Sequence, residues 1–139
     1  MNEHATYLLH PIGIVRSVLI KPEDAPRQGF LGAPEAWIEI YPQYRDALQG
    51  VNVNDEVTVL TWFHLSDRSI LKVHPRSDPS RPLTGVFATR APVRPNPIGL
   101  HRVTVLEIVP ARGIRVQPLE AVDGTPVIDI KAVLREAKD

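Results

Sequence analysis

Two guanidinium groups and an amide fall within one proline-braced run of this chain. Gly85-Val86-Phe87-Ala88-Thr89-Arg90-Ala91-Pro92-Val93-Arg94-Pro95-Asn96-Pro97-Ile98-Gly99 sets Arg90, Arg94 and Asn96 among Pro92, Pro95 and Pro97. Each proline fixes its own φ and restricts the residue before it, so the run holds Thr89, Arg90, Arg94 and Asn96 in set positions. A guanidinium held this way suits a carboxylate or phosphate, whose oxygens its planar fork can meet two at a time. A stiff connection that binds nothing has the same composition. Two further stretches are rich in polar groups. Glu23-Asp24-Ala25-Pro26-Arg27-Gln28-Gly29 follows the opening apolar run, and Glu120–Lys131 sets Asp123-Gly124 between apolar runs and Asp129 between two isoleucines. Asp-Gly there is a hairpin signal, although the same pair also makes plain turns. Asp129 has an ordinary reading too, as a sheet-edge ion pair with Lys131 or a nearby arginine.

Several chemistries are disfavoured by what is missing. The chain has no cysteine, so disulfides, thiolate zinc sites and cysteine nucleophiles are excluded. His4, His10, His64, His74 and His101 show neither H-x-x-x-H nor H-E-x-x-H spacing, and no metal site is expected. G-x-S-x-G is absent, as are a P-loop and G-x-G-x-x-G; Gly29-Phe30-Leu31-Gly32 has the wrong spacing for the last. His64 shares an apolar face with Leu60 and Trp62, the setting of a hydrogen-bonded, partly buried histidine.

The elements that must position these residues read mainly as strand. Tyr7–Leu19 is apolar and β-branched, bent at His10-Pro11-Ile12-Gly13. Ala36–Tyr41 alternates, with Ile38 and Ile40 opposite Trp37, Glu39 and Tyr41. Glu56–Leu65 sets Val57, Val59, Thr61 and Phe63 on one side, and Thr58, Leu60, Trp62 and His64 on the other. Ser69–His74, Thr84–Ala88, Ile98–Val109, Gly113–Leu119 and Pro126–Ile130 complete the strands. One short helix is expected over Pro42–Leu48, with proline at its start and Gly50 beyond its end. The pattern predicts an all-β fold, a barrel or another compact β arrangement, without the strand–helix alternation of Rossmann-type domains.

The chain's 139 residues suit one domain, expected to span 1–139, and 43% hydrophobic against 23% charged residues supports a packed core. No apolar run approaches the roughly 20 residues of a membrane span, nor does the start resemble a signal peptide. A soluble, cytoplasmic protein is the expectation. The charges balance at 16 against 16, yet Ser66–Arg102 holds Arg68, Lys72, Arg76, Arg81, Arg90, Arg94 and Arg102 against Asp67 and Asp78, a local +5. That segment also contains six of the 14 prolines. A localised anionic partner fits this asymmetry, as does a solvated loop balanced in space by acids from elsewhere.

Read in order, six segments resemble the TsaA-like, or TrmO-like, family across nearly the whole chain. They are His10-Pro11-Ile12-Gly13-Ile14-Val15-Arg16-Ser17, Pro26-Arg27-Gln28, Ile38–Leu48, Trp62-Phe63-His64, Gly85–Gly99 and Val122–Lys131. The resemblance implies methylation with S-adenosylmethionine as cofactor, in the best-known members on N6 of threonylcarbamoyladenosine beside the tRNA anticodon. It also implies a small non-Rossmann β-barrel working as a homodimer on tRNA. By motif position, cofactor contacts fall on Pro26, Arg27, Gln28, His64, Leu65, Arg90, Leu100, Ala121, Val122, Asp123 and Gly124. Arg76 and Arg94 become candidates for substrate anions, and Asn96 a candidate catalytic acceptor for the N6 proton. Two departures stand out. The family's D-I-K is usually followed by tyrosine and proline, whereas Lys131 leads here to Ala132-Val133-Leu134. The chain stops eight residues after Lys131, so the extra C-terminal domain of the tRNA-modifying members is expected to be absent. The alternative reading is a non-catalytic module that binds the cofactor or RNA. A weaker one is a hydrolase built on His64 with Asp67 or Asp123.

Overall fold

The computed structural model describes residues 4–18 and 34–134. Its strands are β1 (Gly13–Arg16), β2 (Ala36–Ile40), β3 (Glu56–Trp62), β4 (Lys72–Val73), β5 (Thr84–Gly85), β6 (Ile98–Val109), β7 (Gly113–Gln117) and β8 (Pro126–Ala132). Six of them close a barrel in the order β1-β2-β7-β6-β3-β8, while β4 and β5 form a separate two-stranded ribbon. Every neighbouring pair is antiparallel. The expected β-barrel is the fold.

Alternation in the sequence becomes inside and outside. Val15, Ile38, Ile40, Val57, Val59, Val103, Val105, Ile114, Val116 and Val127 are buried and pack as one core. Strand-to-strand closure leaves no barrel edge exposed. Register shifts between Leu60 and Thr61 in β3–β8, and between Val105 and Glu107 in β6–β7, are the bulges that help so few strands to curve.

Three expected strands are shorter, and one hairpin signal is instead a plain turn. The opening strand is only Gly13–Arg16, because Pro11 has no N–H to donate; residues 4–10 stay exposed. The strands expected over Ser69–His74 and Thr84–Ala88 shrink to the two-residue β4 and β5, hemmed in by Pro75, Pro79 and Pro82. Asp123-Gly124 does not close a hairpin: β7 lies between β2 and β6, and β8 between β3 and β1. The expected helix keeps its bounds, Pro42–Leu48, as a 3-10 helix.

Registers fix which strand ends coincide. Arg16 lies opposite Trp37, Ala36 opposite Val116, Thr61 opposite both Gly99 and Val127, and Ile14 opposite Pro126. The ends of β1, β3 and β7 and the starts of β2, β6 and β8 therefore share one mouth of the barrel. Segments 63–97 and 118–125 both leave and re-enter there.

Candidate functional site

Most residues expected to do chemistry lie on the segments that rim this mouth. At the end of β3 the chain turns sharply: the Phe63 N–H donates to the Pro97 carbonyl at 2.8 Å, and the His64 N–H to the Trp62 carbonyl at 2.8 Å. The turn leaves the His64 side chain exposed and Leu65 62% exposed. Leu100, on the outer face of β6 opposite Leu60, is 51% exposed.

The proline-braced run is tied from within. The Thr89 hydroxyl donates to the Val86 carbonyl at 2.9 Å and accepts from the Ala91 N–H at 3.1 Å. Arg94 Nη1 donates to the carbonyls of Ala91 at 2.9 Å and Thr89 at 3.3 Å, so this candidate anion ligand braces its own loop. Arg90 stands exposed at the loop's tip and has no polar partner among the described residues. Arg68 clamps the end of the run. Its Nε donates to the Pro95 carbonyl at 2.7 Å, its Nη2 to Asn96 Oδ1 at 3.2 Å, and its guanidinium lies 5.0 Å from the Trp62 ring centroid. Asn96 is thereby aimed by Arg68, which sequence reasoning counted only as charge. Arg76 is exposed in the turn between β4 and β5, at φ 57°.

Residues 118–125 cross the mouth on the other side. The Gly124 N–H donates to the Val15 carbonyl at 2.8 Å, and the Ser17 N–H to Asp123 Oδ1 at 3.0 Å, with Arg16 Nη1 3.7 Å from Asp123 Oδ2. Gly124 adopts φ 88°, the left-handed turn conformation that glycine enters without steric cost. Ala121 and Val122 are buried, so of the cofactor contacts expected here these two offer chiefly backbone. Pro26, Arg27 and Gln28 lie outside the described residues.

Below the rim is a polar group that motif spacing did not single out. Thr61, fully buried, and His101, 5% exposed, face into the barrel from β3 and β6. Thr61 Oγ1 and His101 Nε2 are 2.8 Å apart, and the edge of Phe63 meets the imidazole at a centroid distance of 5.8 Å. His101 Nδ1 sits 3.7 Å from Glu120 Oε1; neither Nδ1 nor Glu120 Oε2 has a hydrogen-bond partner. A buried polar atom left unpaired costs about 1–3 kcal/mol. The signal was present in the alternation of β6, where His101 falls in phase with inward Gly99, Val103 and Val105. Gly99 must remain small, because a Cβ there would meet Thr61 Oγ1 and the Phe63 ring.

Charge elsewhere is spent on structure. Hydrogen bonds from the Ser69 hydroxyl and N–H hold the Asp67 carboxyl below its usual range. Glu107, then Glu35, raise the Arg115 guanidinium above its ordinary value on the outer barrel wall. No polar contact joins His64 to Asp67 or Asp123 among the described residues, which leaves the hydrolase reading without its dyad. Nor does any group of three or more His, Asp or Glu side chains there suit a metal ion.

Comparison with known proteins agrees with this arrangement. The profile of the tRNA-methyltransferase O N-terminal domain matches residues 14–138. A protein of Methanothermobacter thermautotrophicus named "Probable S-adenosyl-L-methionine-binding protein" is 46% identical over 123 residues, covering 88% of this chain and 87% of its own. An Archaeoglobus fulgidus protein named "S-adenosyl-L-methionine-binding protein" is 42% identical over 124 residues, covering 89% and 87%. Among solved structures, TrmO superposes with TM-score 0.74 at 33% identity over 97% of this chain and 64% of that one. TrmO from Pseudomonas aeruginosa gives 0.73 at 31%, over 96% and 61%. This chain thus spans under two thirds of the TrmO chains it resembles. With a profile match over most of its length on a barrel of the same shape, the chain belongs to the family of the tRNA-methyltransferase O N-terminal domain.

Proposed function

We propose that this protein is an S-adenosylmethionine-dependent methyltransferase that acts on tRNA, at N6 of threonylcarbamoyladenosine beside the anticodon or a closely related base. The observation that carries the reading is the convergence of segments 62–65, 85–100 and 118–125 on one mouth of the barrel. The residue types suit the cofactor. Exposed Leu65 and Leu100 offer apolar surface for an adenine, the uncommitted Arg90 guanidinium matches a carboxylate, and the backbone at Ala121–Gly124 offers polar edges. Glu120 Oε2, buried and unpaired, favours a nearby positive charge, as a sulfonium or α-ammonium would provide.

When bound, the cofactor supplies a methyl group made electrophilic by its sulfonium. The protein's task is then alignment and exclusion of water. N6 of the target is a weak nucleophile, its lone pair delocalised into the ring; as the N–C bond forms the methyl–sulfur bond breaks to leave a neutral thioether, and the N6 proton passes to water. Asn96 Oδ1 has two lone pairs, of which Arg68 engages one, so the second can accept from the N6–H. Arg76, exposed and without a polar partner among the described residues, is the group for backbone phosphates. Arg94 serves them indirectly, by stiffening the loop.

A homodimer in the cytoplasm completes the reading. Phe87 is 82% exposed, and Leu71, Leu83 and Ile98 on the same stretch of chain are exposed too, apolar side chains that a second copy would cover. No helix among the described residues is long and apolar enough to cross a membrane.

The test is incubation with methyl-labelled S-adenosylmethionine and two tRNA pools, with and without threonylcarbamoyladenosine. Label is expected in adenosine of the modified pool only. Tight cofactor binding with no transfer to either pool would instead favour the accessory module, the reading supported by relatives named only as binding proteins.

A further inference from the structure

We infer that His101 is a positioning residue for the cofactor-binding loop, acting through Glu120. The inference rests on the proposed placement of S-adenosylmethionine against residues 121–124.

Residues 118–125 are fastened unevenly. On the β1–β2 side, the Leu119 N–H donates to the Pro34 carbonyl at 3.2 Å, Gly124 bonds Val15, the Val15 N–H donates back to the Thr125 carbonyl at 2.9 Å, and Asp123 accepts from Ser17. Toward β3 and β6, on the opposite wall of the barrel, the polar contact among the described residues is Glu120 with His101. His64, Leu65 and Leu100 belong to that opposite wall. A cofactor held by both sets of residues must span the two walls, and Glu120–His101 sets their separation.

A neutral imidazole can do this in one tautomer. A bare Nδ1 lone pair facing the Glu120 carboxylate would be repelled, so Nδ1 carries the proton. Nε2 then accepts from the Thr61 hydroxyl, and the Nδ1–H is left facing Glu120 Oε1 at 3.7 Å, one short shift from a chain that would run from Thr61 through His101 to Glu120. The chain superficially resembles a nucleophile–histidine–acid triad. Thr61, however, is fully buried, and Phe63 stacks its edge beside the ring, so no substrate reaches the hydroxyl. The group's work is mechanical. At 3.7 Å the Nδ1–Oε1 contact is too long for a hydrogen bond. A shift of residues 118–125 toward β6 on cofactor binding would close the gap and complete the hydrogen bond.

Calorimetric titration of the full chain with S-adenosylmethionine, paired with nitrogen NMR of the His101 imidazole, tests this. The unliganded protein should show the Nδ1–H tautomer, and adding the cofactor should shift the Nδ1 resonance as the hydrogen bond forms. Glu120→Gln should abolish that shift. His101→Gln and Glu120→Gln should each weaken binding about tenfold or more, the loss expected for a hydrogen bond to a charged group. The double variant should lose no more than either alone, because the two residues act as one link. If the wild-type chain binds the cofactor but its His101 signal does not move, and Glu120→Gln binds as tightly as wild type, the positioning role is overturned while the binding reading stands. If the wild-type chain does not bind the cofactor, the underlying reading fails and the inference with it. The NMR signature decides the matter even if His101→Gln does not fold.

Discussion

Asn96 and Arg68 show how a single side chain acquires a role from its neighbours. In sequence Asn96 is one amide between two prolines; in the fold Arg68 fixes its carbonyl while stacking on Trp62. Asn96→Ala should therefore lower the rate of methyl transfer at saturating tRNA by about 10- to 100-fold, with cofactor affinity unchanged. Near-normal turnover would remove it from the mechanism. Arg68→Ala should give a milder version of the same defect, because the carbonyl survives but is no longer aimed. Asp67 makes a separate, titratable prediction. Its carboxyl is held below its ordinary value by Ser69, so the bonded form persists above the unfolded value and is lost only as pH falls through the lower, folded one. The Ser69 amide proton should titrate with a midpoint below 3.8, and a midpoint at or above 3.8 would contradict the hydrogen-bonded turn.

Strands and loops divide the labour between shape and chemistry. The inner row of β3 and β6 is apolar except at the mouth, where Thr61 and His101 replace the valines that fill the rest. Gly99 protects this polar pair from a collision. Gly99→Ala should destabilise the fold by about 1–3 kcal/mol in chemical denaturation, the usual cost of overpacking. It should also weaken cofactor binding, whereas Gly50→Ala, whose Cβ would meet nothing within 4 Å, should leave binding unchanged. Strand periodicity made much of this readable in advance: Ile98–Val109 and Pro42–Leu48 keep their expected bounds, and the inward phase of Val57, Val59 and Thr61 is as the alternation indicated. Local pattern failed where partners came from far away. Nothing in Glu120 or His101 alone announces that residues 19 apart in sequence meet inside a barrel. The Asp123-Gly124 turn looked like a hairpin because adjacency in sequence does not reveal that β8 returns to β1 and β3.

At the scale of the molecule, a neutral protein gathers its cations on one set of loops. Partners then sort them: Arg81 pairs with Asp78, Arg102 with Glu56, Arg68 with Pro95 and Asn96, and Arg94 with its own loop, leaving Lys72, Arg76 and Arg90 uncommitted among the described residues. Reversing Arg76 to glutamate should weaken tRNA binding and reduce the slope of log affinity against log salt by about one, as for each lost phosphate contact. An unchanged slope would make Arg76 ordinary surface. The barrel has two ends, and among the described residues only one gathers the expected cofactor contacts His64, Leu65, Arg90, Leu100 and Ala121–Gly124. The other bears a groove of about 700 Å³ lined by Tyr44, Leu48, Val51 and Val133. That contrast gives the most direct test of the central claim, that the motif-bearing mouth holds S-adenosylmethionine. Amide chemical shifts recorded while the cofactor is titrated into the full chain should move at residues 62–65, 90–100 and 118–125 and stay fixed around Tyr44 and Val133. Shifts confined to the Tyr44 groove, or none at saturating cofactor, would contradict it.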